Sequence, residues 1–230
     1  MIEMPDEVKQ DLRWCPVRGN RSPVLLEQGL FLLIIPKNAS ISMRALAAAL
    51  QHGDKVAGMH PEEQAQQDLL SIWRRYVPRC QNYKAIAIVR HPLDRFVSAY
   101  WDKRDDRAFL KANKMKANRT IREWVRWICN VPDDKTDPHL RPQHMYLYAE
   151  GAPIDVELLR FEDLPGAADE LLQRYKLPAR FPHAHFGRIR SKQKAQRYWE
   201  DLPYRQVLRL TRRYKRDFKL LGYPLPVSLK

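Results

Sequence analysis

One stretch of the chain decides its fold: residues 31–42, with the sequence FLLIIPKNASIS. Its apolar part predicts a buried strand over 30–35, and a polar turn with one cation, Lys37, leads into a helix-forming run from Ser40 to Leu50. A strand, a turn and a helix in this order direct backbone N–H groups, the positive helix end and an ammonium group towards one place. Such a place suits a phosphate or a sulfuryl group.

A second stretch with related features covers residues 85–100, AIAIVRHPLDRFVSAY. Its apolar start predicts a buried parallel strand that ends at Arg90, and the helix from Pro92 carries Arg95 and Ser98. A guanidinium at the end of a buried strand is costly without a partner, and both Arg and Ser donate hydrogen bonds to phosphate oxygens. Two anion sites at the ends of two strands are what a doubly charged nucleotide donor requires.

Both stretches also have purely structural interpretations. Ser40 can be an N-cap and Lys37 a solvated charge, while Arg90 can close the strand end by pairing with Asp94 or another carboxylate. The turn differs from the loop of nucleotide triphosphatases, in which Lys follows a glycine and directly precedes Ser or Thr. No glycine is present in 36–42.

The rest of the chain continues the alternation of strand and helix patterns. We expect a single domain over 1–230 in which residues 1–28 are irregular, because Pro5, Pro16, Gly19 and Pro23 act as breakers there. Further elements are expected as helices at 61–76, from 92, at 120–129, 164–175 and 204–220, a strand at 156–161, and loops at 130–142 and 178–195. This order predicts an α/β fold with a central parallel sheet flanked by helices.

The composition describes a folded and strongly basic protein. A hydrophobic content of 44% excludes a fully disordered chain, and 41 Lys and Arg against 27 Asp and Glu give a net charge of +14. This excess indicates an anionic partner (nucleic acid, a membrane surface, or an acidic molecule or polymer) unless it is only a solvated surface. The sequence contains no recognisable nucleic-acid reading element, so we expect no nucleic acid partner.

Cysteine, histidine and terminal patterns indicate the compartment and the kind of chemistry. Cys15, Cys80 and Cys129 are scattered and odd in number, which argues against a disulfide framework. The acidic start has no apolar signal region, and no run reaches the ~20 apolar residues of a membrane span. We therefore expect a cytoplasmic protein with at most peripheral membrane contact, although a luminal domain without its anchor would look the same.

The seven histidines show no HExxH pattern, so no metal is expected.

Together with residues 137–143, DPHLRPQ, the two stretches resemble the signatures of sulfotransferases that use 3′-phosphoadenosine 5′-phosphosulfate (PAPS). Over residues 30–225 the chain resembles carbohydrate sulfotransferases of the chondroitin and heparan type and their bacterial relatives. That family usually has an aromatic residue in place of Leu140 and often Asp in place of His91. The resemblance implies a nucleotide-kinase-like α/β fold and transfer of a sulfuryl group from PAPS to a carbohydrate hydroxyl. It also implies 3′,5′-adenosine bisphosphate as the product, and no metal.

The resemblance assigns the donor-binding residues. The first turn would hold the 5′-phosphosulfate, the second stretch would hold the 3′-phosphate, and a late basic loop would cover the nucleotide. The residues are Lys37, Asn38, Ala39, Ser40, Ile41 and Ser42 in the turn, Arg90 and Ser98 in the second stretch, and Arg188, Ser191 and Lys192 in the loop. The last three also fit a loop that is merely basic and exposed.

Sulfuryl transfer needs charge neutralisation and a general base. Lys37 and the turn amides would neutralise charge, and a base would take the proton of the acceptor hydroxyl. By the resemblance this base is His139, in the DPHLRPQ loop, or His60, after the first helix, with Glu62 or Glu63 as a substitute. Each histidine can also be a surface or structural residue.

The acceptor would lie against the DPHLRPQ loop, residues 137–143. His139, Arg141 and Gln143 are the expected acceptor-binding residues, and the basic segment 103–119 either holds an anionic carbohydrate or is a solvated helix. Two other functions fit the same pattern. One is a phosphoryl-transferring kinase of related fold, against which the missing glycine-rich loop argues, and the other is a catalytically inactive protein that binds a nucleotide or a polyanion.

Overall fold

The computed structural model of the protein describes residues 24–26, 30–52, 84–149, 152–153, 156–177, 180–182 and 199–226. Its residues group into two compact units. The sheet unit takes its described residues from 1–89 and 145–188, and the helical unit takes them from 90–144 and 189–230.

The sheet unit is built on four strands in the order β1 (Val24–Leu26), β2 (Leu30–Leu33), β3 (Lys84–Val89) and β4 (Val156–Arg160). β2, β3 and β4 are parallel, and β1 is an antiparallel edge strand beside β2. A separate short ladder joins 148–149 to 152–153. The parallel centre of the sheet confirms the α/β prediction.

The central position of β3 explains its composition. β3 pairs with β2 on one side and with β4 on the other. Residues 86–89 are all buried. A strand covered in this way has no solvent face, so its sequence is continuously apolar rather than alternating.

The expectation that residues 1–28 are irregular is wrong at Val24–Leu26, which form β1. Pro23 and Gly19 dominated the sequence pattern there. A proline just before an edge strand removes no ladder hydrogen bond, so it does not prevent the strand. The rest of that segment lies outside the described residues.

Apart from α3, which the sequence did not predict as a helix, the described helices occur where the sequence predicts them, with some different ends. They are α1 (Ser40–His52), α2 (Pro92–Lys103), α3 (Arg107–Ala112), α4 (Ile121–Ile128), α5 (Gly166–Arg174), α6 (Tyr204–Arg213) and α7 (Lys215–Leu220). α1 and α5 belong to the sheet unit and the others to the helical unit. The helix expected at 61–76 lies outside the described residues.

Aromatic rings form the core of the helical unit. The indole of Trp124 in α4 is fully buried and stacks on Phe109 of α3, with ring centroids 5.3 Å apart. Tyr100 of α2 meets the same indole edge-on at 5.4 Å. These contacts fix α3, which was expected only as a basic segment, because one buried ring outweighs the polar residues around it.

The closing helix is divided at Tyr214, where the sequence predicts a continuous helix. Tyr214 has φ −100° and ψ 18°, and its buried hydroxyl donates a hydrogen bond to the backbone oxygen of Leu140 at 2.9 Å. Neither Pro nor Gly marks this break in the sequence. A long-range hydrogen bond stabilises the turn, and such a contact is invisible to local sequence patterns.

The start of α4 offers a test of local stabilisation. The Thr120 hydroxyl accepts a hydrogen bond from the Glu123 N–H, and the Glu123 carboxylate accepts one from the Thr120 N–H at 2.7 Å, which is a capping box. Thr120→Ala is expected to lower the free energy of unfolding by about 1 kcal/mol in urea denaturation. Thr120→Ser keeps the hydroxyl and is the control. Equal stability of the two variants would contradict the assignment.

Candidate functional site

The turn after β2 has an unusual backbone. Lys37 and Ala39 have φ values of 71° and 55°, in the left-handed region, although neither is glycine. For a non-glycine residue this conformation costs on the order of 1 kcal/mol. Turns with left-handed residues can form a concavity of backbone N–H groups, called a nest, that binds anions. This turn shares the left-handed positions of such nests without the usual glycines.

Asn38 fixes this turn to the sheet. Its side chain is buried, and Nδ2 donates a hydrogen bond to the Ile88 oxygen at 2.8 Å. Its backbone N–H donates to the Ile35 oxygen at 3.2 Å. The turn is thus bonded to the carboxyl end of β3, two residues before Arg90 in the sequence. Asn38 was predicted in the anion cradle, and the structure gives its carboxamide a bracing contact.

α1 begins directly after the turn. The Ala39 oxygen accepts the first helical hydrogen bond, from the Met43 N–H at 2.9 Å, so Ser40 is inside the helix rather than its N-cap. The N–H groups of a first helical turn have no carbonyl partner within the helix. Ser42 is buried, while Lys37, Ala39, Ser40 and Ile41 are partly exposed. The structure therefore brings the six predicted cradle residues together at one helix start.

Arg90 lies in the helical unit, where it is buried with 4% exposure. The side chain of Gln143 bonds to both backbone groups of Arg90. The Arg90 N–H donates to Oε1 at 3.0 Å, and Nε2 donates to the Arg90 oxygen at 2.7 Å. Gln143, predicted to bind the acceptor, is fully buried. Its role towards an acceptor stays a prediction.

Asp217 of α7 holds the segment that contains Gln143. Its fully buried carboxylate accepts hydrogen bonds from the backbone N–H of Gln143 at 2.7 Å and of His144 at 2.9 Å, and it lies 2.7 Å from Nδ1 of His144. The sequence analysis missed Asp217. The available signal was an acid on the apolar helical stripe of Tyr214, Phe218 and Leu221.

Ser98 lies on a partly exposed face of α2. His91, Asp94 and Ser98 follow one another at helical spacing, and all three are partly exposed. Asp94 accepts a hydrogen bond from Nε1 of Trp199 at 2.8 Å, and the His91 ring stacks on that indole at 5.5 Å. Ser98 therefore remains accessible, as a ligand-binding hydroxyl must be.

His139 forms a close pair with Asp137. Its ring Nδ1 lies 2.8 Å from Asp137 Oδ1, and its backbone N–H donates to the same oxygen at 2.9 Å. Burial raises the pKa of Asp137, but the hydrogen bonds from the His139 ring and backbone outweigh it and hold the pKa below its ordinary value. An ionised carboxylate only accepts hydrogen bonds, so Nδ1 of His139 carries a hydrogen, and the neutral form of the ring has its lone pair on Nε2.

Arg95 holds the backbone around His139. Its buried guanidinium donates to the oxygens of Arg141 at 2.7 Å and Pro138 at 3.1 Å. The sequence suggested an anion-binding role for Arg95, and the structure shows a loop-bracing one. Arg141 itself donates through Nη2 to the Thr136 oxygen at 3.1 Å.

The basic segment forms part of an exposed surface. Phe109 and Trp124 hold α3 and α4 together, and each helix exposes two cations one turn apart. We call these four side chains the basic face: Arg107, Lys111, Arg122 and Arg126. Lys103 is not part of it, since its ammonium lies 2.9 Å from a carboxylate oxygen of Asp106.

Six residues predicted for the site lie outside the described residues: His60, Glu62, Glu63, Arg188, Ser191 and Lys192. Their roles stay predictions. Within the described ranges, no group of three or more His, Cys, Asp or Glu side chains could hold a metal ion. No helix in the described part of the chain is long and apolar enough to span a bilayer.

Comparison with known proteins identifies the family. The sulfotransferase family model matches residues 24–224, which include both stretches predicted to bind anions and the His139 loop. The chain belongs to the sulfotransferase family. This family member is 25% identical over 170 residues to carbohydrate sulfotransferase 14 of Danio rerio. The match covers 64% of this chain and 46% of that relative, so the chain spans about half the length of the curated relative. No solved structure gives a significant match.

The contacts of Arg95 lead to a stability prediction. Arg95→Lys removes the planar fork that bonds two carbonyls at once, and it is expected to lower the free energy of unfolding by about 2 kcal/mol, since buried hydrogen bonds from charged groups are strong. Arg216→Lys, at an exposed position of α7, is the matched control in the same urea denaturation experiment. If both variants unfold at the same urea concentration, Arg95 does not brace the loop.

Proposed function

We propose that the protein transfers a sulfuryl group from PAPS to a hydroxyl of a carbohydrate acceptor. The observation that carries this proposal is the left-handed turn at Lys37 and Ala39, which opens α1 in a chain that belongs to the sulfotransferase family. The similarity to a carbohydrate sulfotransferase supports the acceptor class. The absence of a glycine-rich loop argues against a kinase.

The donor would bind through groups that suit its two charged ends. The backbone nest and the ammonium of Lys37 fit the 5′-phosphosulfate, with residues 38–42 completing the cradle. Arg90 and Ser98 would bind the 3′-phosphate, because a buried guanidinium is stabilised best by an anion that accepts two parallel hydrogen bonds. The loop with Arg188, Ser191 and Lys192 would cover the nucleotide.

Charge and proton transfer would be divided between two side chains. The bound donor supplies a sulfuryl group activated by its link to phosphate. Lys37 would neutralise the charge that develops on the leaving phosphate oxygen, and a donor in a fixed position is worth a few kcal/mol in such a role. Nε2 of His139 would take the proton of the acceptor hydroxyl, since Asp137 keeps the hydrogen on Nδ1.

The pair of His139 and Asp137 would also stabilise the charge that is present after proton transfer. Once Nε2 is protonated the imidazole is positive, and the Asp137 carboxylate 2.8 Å from Nδ1 stabilises it. This geometry favours His139 over His60 as the base. His60 stays the second candidate, with Glu62 and Glu63 behind it.

An anionic carbohydrate is the acceptor that suits the surface. The basic face offers four exposed cations on two packed helices. Such a surface attracts a polyanion and would retain a product that becomes more negative with each transfer. Arg141 would contact the acceptor near His139.

Lys37 provides the test of donor binding. Lys37→Ala is expected to lower the specificity constant for PAPS by at least tenfold, about 1.4 kcal/mol, because one cation is lost from the cradle. The assay is transfer of labelled sulfate from PAPS to a panel of glycans, with labelled ATP as a parallel donor. Lys219→Ala, an exposed change on α7, is the control. Normal kinetics of Lys37→Ala would exclude the residue from the donor site, and turnover of ATP alone would replace the proposal with a kinase.

The general base is tested by separating chemistry from binding. His139→Ala should reduce kcat by roughly 10²–10⁴-fold, the usual contribution of a general base, while the Kd for 3′,5′-adenosine bisphosphate stays unchanged. Asp137→Asn should also reduce kcat, because an amide no longer fixes the Nδ1–H tautomer. His60→Ala is the comparison variant. If only His60→Ala loses turnover with donor binding intact, His60 is the base instead.

A further inference from the structure

A side chain, that of Gln143, holds the backbone of Arg90. The parallel ladder between β3 and β4 ends at the pair Val89 and Arg160, one residue before Arg90. Gln143 then bonds to both backbone groups of Arg90, through Oε1 at 3.0 Å and Nε2 at 2.7 Å. A carboxamide offers one acceptor and one donor side by side, as the backbone of a strand does. Gln143 therefore sets the position from which the Arg90 side chain extends.

Gln143 is itself held in place by a buried charge, the carboxylate of Asp217. The Asp217 carboxylate accepts the N–H groups of Gln143 and His144, and the His144 ring lies against the same carboxylate. Asp217 and Gln143 are both fully buried. A buried carboxylate is stabilised only while its donors stay in place, so this arrangement has one favoured geometry. The series of contacts runs from α7 through the 143–144 segment to Arg90.

We propose that Gln143 and Asp217 are positioning residues that orient Arg90 and thereby set the selectivity for nucleotides with a 3′-phosphate. The inference rests on the proposed function, in which Arg90 binds that phosphate. A bidentate bond between guanidinium and phosphate needs both groups at defined angles. A fixed backbone lets the Arg90 side chain meet the phosphate with less loss of conformational freedom on binding.

The experiment compares two nucleotides that differ only in the 3′-phosphate. Isothermal titration calorimetry gives the Kd values of the full chain for 3′,5′-adenosine bisphosphate and for adenosine 5′-monophosphate. The ratio of the two Kd values measures 3′-phosphate selectivity. A partly unfolded variant has both apparent affinities reduced by the same factor, so the ratio responds to the site and not to stability.

The test variant is Gln143→Met, which keeps the length of the side chain and removes both hydrogen bonds. Its ratio is expected to fall about tenfold, through weaker binding of the bisphosphate alone. The matched control is Thr211→Val, which removes a buried hydrogen bond within α6 of the same unit, to the Val207 oxygen at 2.8 Å. The control should retain the wild-type ratio.

The outcomes separate this inference from the proposed function. If the wild-type protein does not prefer the bisphosphate, the 3′-phosphate assignment of the proposed function is wrong. If the wild type prefers it and Arg90→Ala abolishes the preference, while Gln143→Met keeps the wild-type ratio, only the positioning role is overturned. A fall of the ratio in Thr211→Val as large as that in Gln143→Met would also overturn it.

Two further measurements keep the inference testable if Gln143→Met does not fold. Asp217→Asn changes one carboxylate oxygen to a nitrogen, two contacts away from Arg90, and should reduce the ratio in the same direction. In the wild-type protein, the side-chain amide resonance of Gln143 should shift on addition of the bisphosphate and remain in place with the monophosphate. An equal response to both nucleotides would disprove the proposal.

Discussion

The charge of Asp217 is the constraint on which much of the helical unit depends. A fully buried carboxylate must be balanced by donors from the chain, and three N–H positions, two of the backbone and one of the His144 ring, surround it. Removal of one partner from such a group costs more than an ordinary surface change, because the other groups are left without their bonds. α7 and the 143–144 segment consequently form a single structural element, although they are far apart in the sequence.

The same unit uses its charged residues in two different ways. Asp217 and Arg95 are buried, and each bonds to backbone groups of the segment around His139 and Gln143. The cations of the basic face are exposed and one helical turn apart. Buried charges therefore fix the loop that carries His139, whereas exposed charges remain available to solvent and to an anionic partner. A count of charged residues does not distinguish these two uses.

The sequence predicted the elements whose patterns are local. The apolar runs of β2 and β3, the start of α2 at Pro92 and the turn at Lys37 follow from neighbouring residues alone. β1 was missed because Pro23 suggested a break, and α3 because its cations hid one buried ring, Phe109. The site shows the same division. The turn at Lys37 was predicted from its composition, but the left-handed backbone of Lys37 and Ala39 was not, since neither residue type favours it. The roles of Arg95 and Asp217 depend on partners more than forty residues away.

The interruption at Tyr214 fixes the angular phase of α7. Side-chain direction in a helix advances by about 100° with each residue. Asp217 lies three positions after Tyr214, and this spacing determines whether its carboxylate faces the 143–144 segment. One residue more or less in this interval would rotate the acid towards solvent and an apolar or basic neighbour towards the donors. The distance along the chain between these two residues is therefore fixed, whereas additions beyond Leu221 leave the phase unchanged. Length variation in this part of the protein is restricted by geometry, independently of which residues fill the exposed positions.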